Sequence, residues 1–206
     1  MALIVSFEGL PNSGKSTAGR LLQEKLVKSG VKSIVLDADN FGDARIIRNV
    51  ANKYRPGHFS RALLYWFLHF QQEDAIEKFR ESQEVIIVDR FWGSVCAIDG
   101  SSDIPADILE SILSYSTKPD LTFFIDVPLK VAIERKIRKS VLVNNHQMAK
   151  RIEKKYHKLA EAGDWVHIDG QRQAEEICES CFGIVNKKMD QAINYGKTPY
   201  CLTSVI

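Results

Sequence analysis

Residues 2–17 read ALIVSFEGLPNSGKST, and no other stretch restricts the fold as tightly. An apolar, β-branched run (Leu3, Ile4, Val5, Phe7) stops at Gly9. After a short mixed segment, Gly14, Lys15, Ser16 and Thr17 complete the spacing G-x-x-x-x-G-K-[ST]. This order predicts a buried strand, a loop whose backbone wraps an anion, and a helix N-terminus. Amide N–H groups in a glycine-containing turn converge on an anion, and the opening helix adds unpaired N–H groups and the positive end of its dipole. Nucleotide phosphates are the expected occupant, held by Gly9, Pro11, Asn12, Ser13, Gly14, Lys15, Ser16 and Thr17. Lys15 supplies a mobile positive charge for the β- and γ-phosphates, and the Ser16 hydroxyl is a candidate Mg²⁺ ligand.

The remaining chain is that of an ordinary globular protein. Its 206 residues fit one domain, taken here as 1–206, with 45% hydrophobic and 26% charged residues. A net charge of +2 gives no general argument for nucleic acid or an anionic membrane. No uncharged apolar run is long enough to span a bilayer, and the N-terminus leads straight into the first strand, so the cytoplasm is the expected location. Cys178 and Cys181 form a C-x-x-C pair, but no second pair completes a zinc set. Two reduced, half-buried thiols on a helix face are expected.

Hydrophobic periodicity then alternates between helix and strand. A helical stripe over 14–29 closes at Gly30, and Ser33, Ile34, Val35 and Leu36 form a second buried strand ending in Asp37, Ala38, Asp39 and Asn40. Chemistry in a parallel sheet gathers at carboxyl ends of strands, so Asp37 or Asp39 is a candidate base for an acceptor hydroxyl, or a ribose or metal-water ligand. Helix capping explains the same residues equally well. An amphipathic helix over 41–57 carries Arg45, Arg48 and Arg55, read mainly as surface cations. The helix over about 60–82 opens with an aromatic run, mostly core, from which Tyr65 is a candidate for stacking on a flat acceptor.

A third strand (Val85, Ile86, Ile87, Val88) delivers Asp89 to its carboxyl end, where an acid fixes Mg²⁺ or its water shell, and Arg90 to the place where donor and acceptor phosphates meet. Helix 105–115 and a fourth strand over 121–126 follow. Pro128 then opens a helix whose basic end includes Arg135 and Arg138, and a polar hinge, 144–146, leads into another basic helix. Helix, hinge and helix with inward arginines describe a lid over about 135–152, with Arg135 also touching the nucleotide. A fifth strand over 165–169 and a last helix over 174–193 complete the pattern, and 194–206 shows no clear element.

The stretches FEGLPNSGKST, VIIVDRFWGSVCA, PDLTFFIDVPLKVAIERK and KKYHKLAEAGDWVHIDG together resemble the thymidylate kinase family of nucleoside monophosphate kinases, over roughly residues 2–190. The resemblance implies ATP on the phosphate loop and Lys15, Mg²⁺ managed by Ser16 and Asp89, Arg90 on the acceptor phosphate, and Arg135 or Arg138 in the lid. It also brings Ser94, in the segment after Asp89-Arg90-Phe91, and His69, where an arginine is usual, to the acceptor side. Departures cluster there: Pro11 replaces an acid, Asp37-Ala38-Asp39-Asn40 replaces Arg-Glu-Pro-Gly-Gly, and Ile98-Asp99 replaces Tyr-Gln. The front of the chain is also similar to adenylylsulfate kinases, which phosphorylate a hydroxyl; in that case Asp37 or Asp39 accepts the proton.

The expectation is therefore an α/β, three-layer P-loop NTPase fold with a parallel sheet of about five strands and a helical lid. Its partners are ATP and a small acceptor, with a homodimer allowed and neither nucleic acid nor membrane involved. A nucleotide switch and a non-catalytic ATP scaffold are the rival classes.

Overall fold

The computed structural model describes residues 1–37, 44–54, 57–102, 104–135 and 145–194. Among these, five parallel strands form one sheet in the order β2-β3-β1-β4-β5. They are β1 (Leu3–Glu8), β2 (Ser33–Leu36), β3 (Val85–Asp89), β4 (Leu121–Asp126) and β5 (Val166–Asp169). The helices are α1 (Lys15–Lys28), α2 (Ala44–Tyr54), α3 (His58–Phe79), α4 (Trp92–Ile98), α5 (Ala106–Ser114), α6 (Leu129–Glu134), α7 (His146–Ala162) and α8 (Ala174–Asn194). No helix among the described residues is long and apolar enough to cross a membrane.

The central strands are apolar on both faces because both are covered. Val5, Phe7, Ile87, Phe123 and Ile125 pack with Leu22 and Leu26 of α1 and Cys181 and Val185 of α8. On the opposite face Ile4, Ile86 and Val88 meet Ala75 and Ile76 of α3, while Phe124 meets Ile152 and Tyr156 of α7. This three-layer arrangement is the α/β architecture the alternating pattern predicts. Cys96, Cys178 and Cys181 are free and buried.

Two features depart from the expectation. The segment after Asp89 is a helix, α4, which has no convincing helical period because it is short and contains Gly93. The aromatic run of α3 is less buried than expected: Trp66 and Leu68 are core residues, but Leu63 is 50% and Phe67 52% exposed. The described fold covers only one side of α3, so its remaining apolar positions face outward.

Candidate active site

The phosphate loop joins the end of β1 to α1 and depends on left-handed backbone. Gly9 has φ 137°, and a Cβ there would stand 2.5 Å from the Ile125 carbonyl oxygen, so β4 itself demands glycine. Gly14 caps α1 with φ 102°, and Asn12, at φ 66°, donates its Nδ2 to the Ala132 carbonyl at 3.0 Å, tying the loop to α6. Lys15 is only 3% exposed; its Nζ donates to the Leu10 carbonyl at 2.5 Å and to Ser13 Oγ at 3.1 Å. Burial, then the neighbouring Arg90 charge, push the Lys15 ammonium well below the ordinary lysine range. A charge held this way is poised for an anion that replaces lost hydration.

β3 pairs with β1 so that Asp89 lies opposite Phe7, beside the loop. The Ser16 hydroxyl donates to Asp89 Oδ2, while Asp89 Oδ1 is buried without a hydrogen-bond partner among the described residues. A buried carboxylate oxygen left open in this way, next to a hydroxyl oxygen, suits a hard cation with oxygen ligands such as Mg²⁺. Arg90 follows in a left-handed conformation, φ 65°, which costs a non-glycine residue of order 1 kcal/mol and points to a function. Its N–H donates to the Phe7 carbonyl at 3.1 Å, and its Nη1 reaches the Gly9 carbonyl at 3.3 Å, so the guanidinium leans over the loop.

Glu8, to which sequence reasoning gave no role, holds this corner together. Its side chain is fully buried: Oε1 accepts the Phe91 N–H at 2.9 Å and Oε2 accepts the Ser94 hydroxyl at 2.7 Å. Ser94 and the Tyr156 hydroxyl share a further bond of 2.9 Å, so one carboxylate links β1, α4 and α7. Burial pushes the Glu8 carboxyl up, against those two hydrogen bonds. Gly93 makes room, since a Cβ there would meet the Trp165 ring at 2.5 Å and Glu8 Cδ at 2.9 Å. The available signal was an acid at the last position of the first strand, just before the loop.

The structure gathers Lys15, Ser16, Asp89 and Arg90 at the carboxyl ends of β1 and β3, with Asp37 just beyond the end of neighbouring β2. Arg135 is turned to the loop after β5, where its Nη1 donates to the Gly170 carbonyl at 2.9 Å. On the acceptor side, Tyr65 is 39% exposed, whereas the Ser94 hydroxyl is committed to Glu8 and Tyr156. His69 is buried, lies against Phe91 with ring centroids 4.8 Å apart, and shares a 2.6 Å bond with Ser116 Oγ. Desolvation pushes its imidazole down to about 4. Asp39, Arg55, Arg138 and the part 136–144 of the lid expected over about 135–152 lie outside the described residues, as does the tail from 195 onward.

The family model described as thymidylate kinase matches residues 7–181. A probable thymidylate kinase of Sulfolobus acidocaldarius is 29% identical over 188 residues, 88% of this chain and 95% of the relative. Probable thymidylate kinase 1 of Saccharolobus solfataricus is 25% identical over 92% of this chain and 100% of its own length. The thymidylate kinase of Leptospira borgpetersenii is 27% identical over 88% of this chain and 92% of its own.

Proposed function

Because the chain belongs to the thymidylate kinase family, we propose that it transfers the γ-phosphoryl group of ATP to a nucleoside monophosphate or a closely related small acceptor. It is a P-loop phosphotransferase. The observation that carries the reading to these residues is the left-handed glycine loop closed around a buried Lys15, with Asp89 and Ser16 hydrogen-bonded beside it.

An oxygen of the acceptor attacks the γ-phosphorus, the bond to the β–γ bridging oxygen breaks, and ADP leaves. Little covalent chemistry falls to the protein, which positions and neutralises. Loop amides and Lys15 hold the phosphates. Ser16 and Asp89 would hold Mg²⁺, which when bound would supply positive charge to neutralise the phosphates. Arg90 leans over Gly9, from where it can take the acceptor phosphate and the charge that develops on transfer. Arg135, with Arg138, acts from the lid segment over the donor nucleotide. An acceptor phosphate is already ionised and needs no base, whereas a hydroxyl acceptor would recruit Asp37 or Asp39.

The same reading extends to a homodimer. Phe59, Leu63 and Phe67 are spaced four apart on α3 and are 45%, 50% and 52% exposed, a stripe that a second copy can cover.

The test is ADP release across nucleoside monophosphates, nucleosides and small alcohols. Release that depends on a nucleoside monophosphate supports the reading. Release with nucleosides or alcohols alone replaces it by hydroxyl transfer, slow acceptor-independent hydrolysis by a switch, and no release by an ATP-binding scaffold.

A further inference from the structure

A second group of chemically able side chains lies on the α7 face of the sheet, away from the α1 face. The β4–β5 register sets Phe124 opposite His167 and Asp126 opposite Asp169, and side chains alternate along strands. Asp126 and His167 therefore share the face on which Phe124 meets α7, whereas Phe123, Ile125 and Ile168 pack on the face of α1 and α8. From α7, His157 reaches the same spot. Its Nε2 lies 3.5 Å from Asp126 Oδ1, and His167 Nε2 lies 2.9 Å from Asp126 Oδ2. One donor atom from each of the three residues falls within 4.8 Å of the others.

The geometry points to a binding site for a borderline divalent cation of the zinc type, ligated by Asp126, His157 and His167 with the remaining coordination open to water. Two imidazoles and a carboxylate suit such an ion, while Mg²⁺ prefers an all-oxygen set, so millimolar Mg²⁺ competes poorly. Tetrahedral bonds of roughly 2.0–2.2 Å bring ligand atoms to roughly 3.3–3.6 Å apart, close to the separations to Asp126 already present. Both rings stand edge-on to Phe124, with centroids 5.2 Å and 5.4 Å away, which fixes their planes. A cavity of about 330 Å³ opens over the cluster and is also lined by Glu153, Asp169 and Gln171. Glu153 accepts the Leu129 N–H and Asp169 the Gln171 N–H, both at 2.9 Å, so these two carboxylates add negative charge around the site from fixed positions. A bound ion ties the edge strand β5 to α7, the helix whose first turns belong to the lid expected over about 135–152. This site does not depend on the phosphotransfer reading.

Zn²⁺ calorimetry and Co²⁺ absorption on the full chain, with millimolar Mg²⁺ present, test it. We expect one Zn²⁺ per chain, tetrahedral cobalt d–d bands with no sulfur-to-cobalt charge-transfer band, and a Tm rise of roughly 5–10 °C at about 100-fold excess over Kd. His157→Gln and His167→Gln should each weaken binding by more than about 10-fold, and Cys178→Ser should leave it unchanged. Failure of Zn²⁺ to bind, binding that survives both histidine substitutions, or a thiolate band lost with Cys178→Ser would each overturn the assignment. In those cases the cluster is only two histidines beside an acid, with His167 hydrogen-bonded to it. Kinase activity has no part in these readouts, so their failure leaves the phosphotransfer proposal untouched.

Discussion

The Ser16 hydroxyl donates to Oδ2 of Asp89, 73 residues further along the chain, and leaves Oδ1 of that buried carboxylate without a hydrogen-bond partner among the described residues. An oxygen held open beside a phosphate loop is costly unless a ligand completes it. Asp89→Asn keeps the shape and an acceptor for Ser16 but removes the charge. It should lower kcat/KM by roughly 100-fold and raise the Mg²⁺ concentration needed for half-maximal rate. An unchanged Mg²⁺ dependence would remove Asp89 from the metal role.

Lys15 separates binding from stability. Its ammonium is 3% exposed and its pKa is depressed first by burial, so the fold bears a desolvation cost that an anion relieves. Lys15→Met keeps the aliphatic stem and drops the charge. Turnover should fall at least about 100-fold, while the Tm without nucleotide stays level or rises. A large drop in Tm together with retained turnover would mean that the lysine is structural.

Much of this corner was legible in the sequence because its signals are local. The loop spacing, each aliphatic strand and the acid that directly follows the aliphatic run of β3 are each written in a few consecutive residues. Glu8 was not legible, since its partners Phe91 and Ser94 are 83 and 86 residues away and α4 has no period of its own. For His69, which the resemblance puts on the acceptor side, the hydrogen bond goes to Ser116, a partner 47 residues away that no local pattern announces. The α3 stripe failed for a related reason. An aromatic run reports that apolar surface must be covered, not whether the same chain covers it.

Glu8 can be tested by the contrast between two substitutions. Glu8→Ala strands the Phe91 N–H and the Ser94 hydroxyl in a dry corner and should cost about 3 kcal/mol. Glu8→Gln keeps an acceptor for Phe91, and Ser94 can rotate to accept from the new amide while donating to Tyr156. Urea unfolding should show most of the stability restored in Glu8→Gln. Equal losses in the two variants would mean that packing volume, not hydrogen bonding, is what Glu8 contributes.

The exposed face of α3 makes a prediction about mass. If Phe59, Leu63 and Phe67 are covered by a second copy, light scattering on the wild type should give twice the 23.3 kDa chain mass. Phe67→Glu puts a charge in that contact and should shift the population to single chains without loss of Tm for the monomer. An identical mass for wild type and variant would rule out this face as the interface.

His69 should mark the acid limb of stability. Burial holds its imidazole at about 4, below the ordinary value of 6.5, so between those values the unfolded chain binds more protons than the folded one. Its contribution is complete above pH 6.5 and is lost as pH falls through about 4, which amounts to about 3 kcal/mol. Asp99 runs the other way: burial raises it from 3.8 to about 6, so its contribution is present below 3.8 and is lost as pH rises through about 6. Glu8 and Glu73, both raised by burial, act in the same sense as Asp99. The whole-protein profile therefore mixes opposing slopes, and only difference curves separate them. Subtracting the His69→Gln unfolding free energy from that of the wild type should give a curve that rises with pH between about 4 and 6.5. The same subtraction for Asp99→Asn, which keeps an acceptor for the Trp66 indole N–H, should give one that falls between about 4 and 6. Parallel pH profiles for wild type and His69→Gln would show that the imidazole titrates normally and is not enclosed as the structure has it.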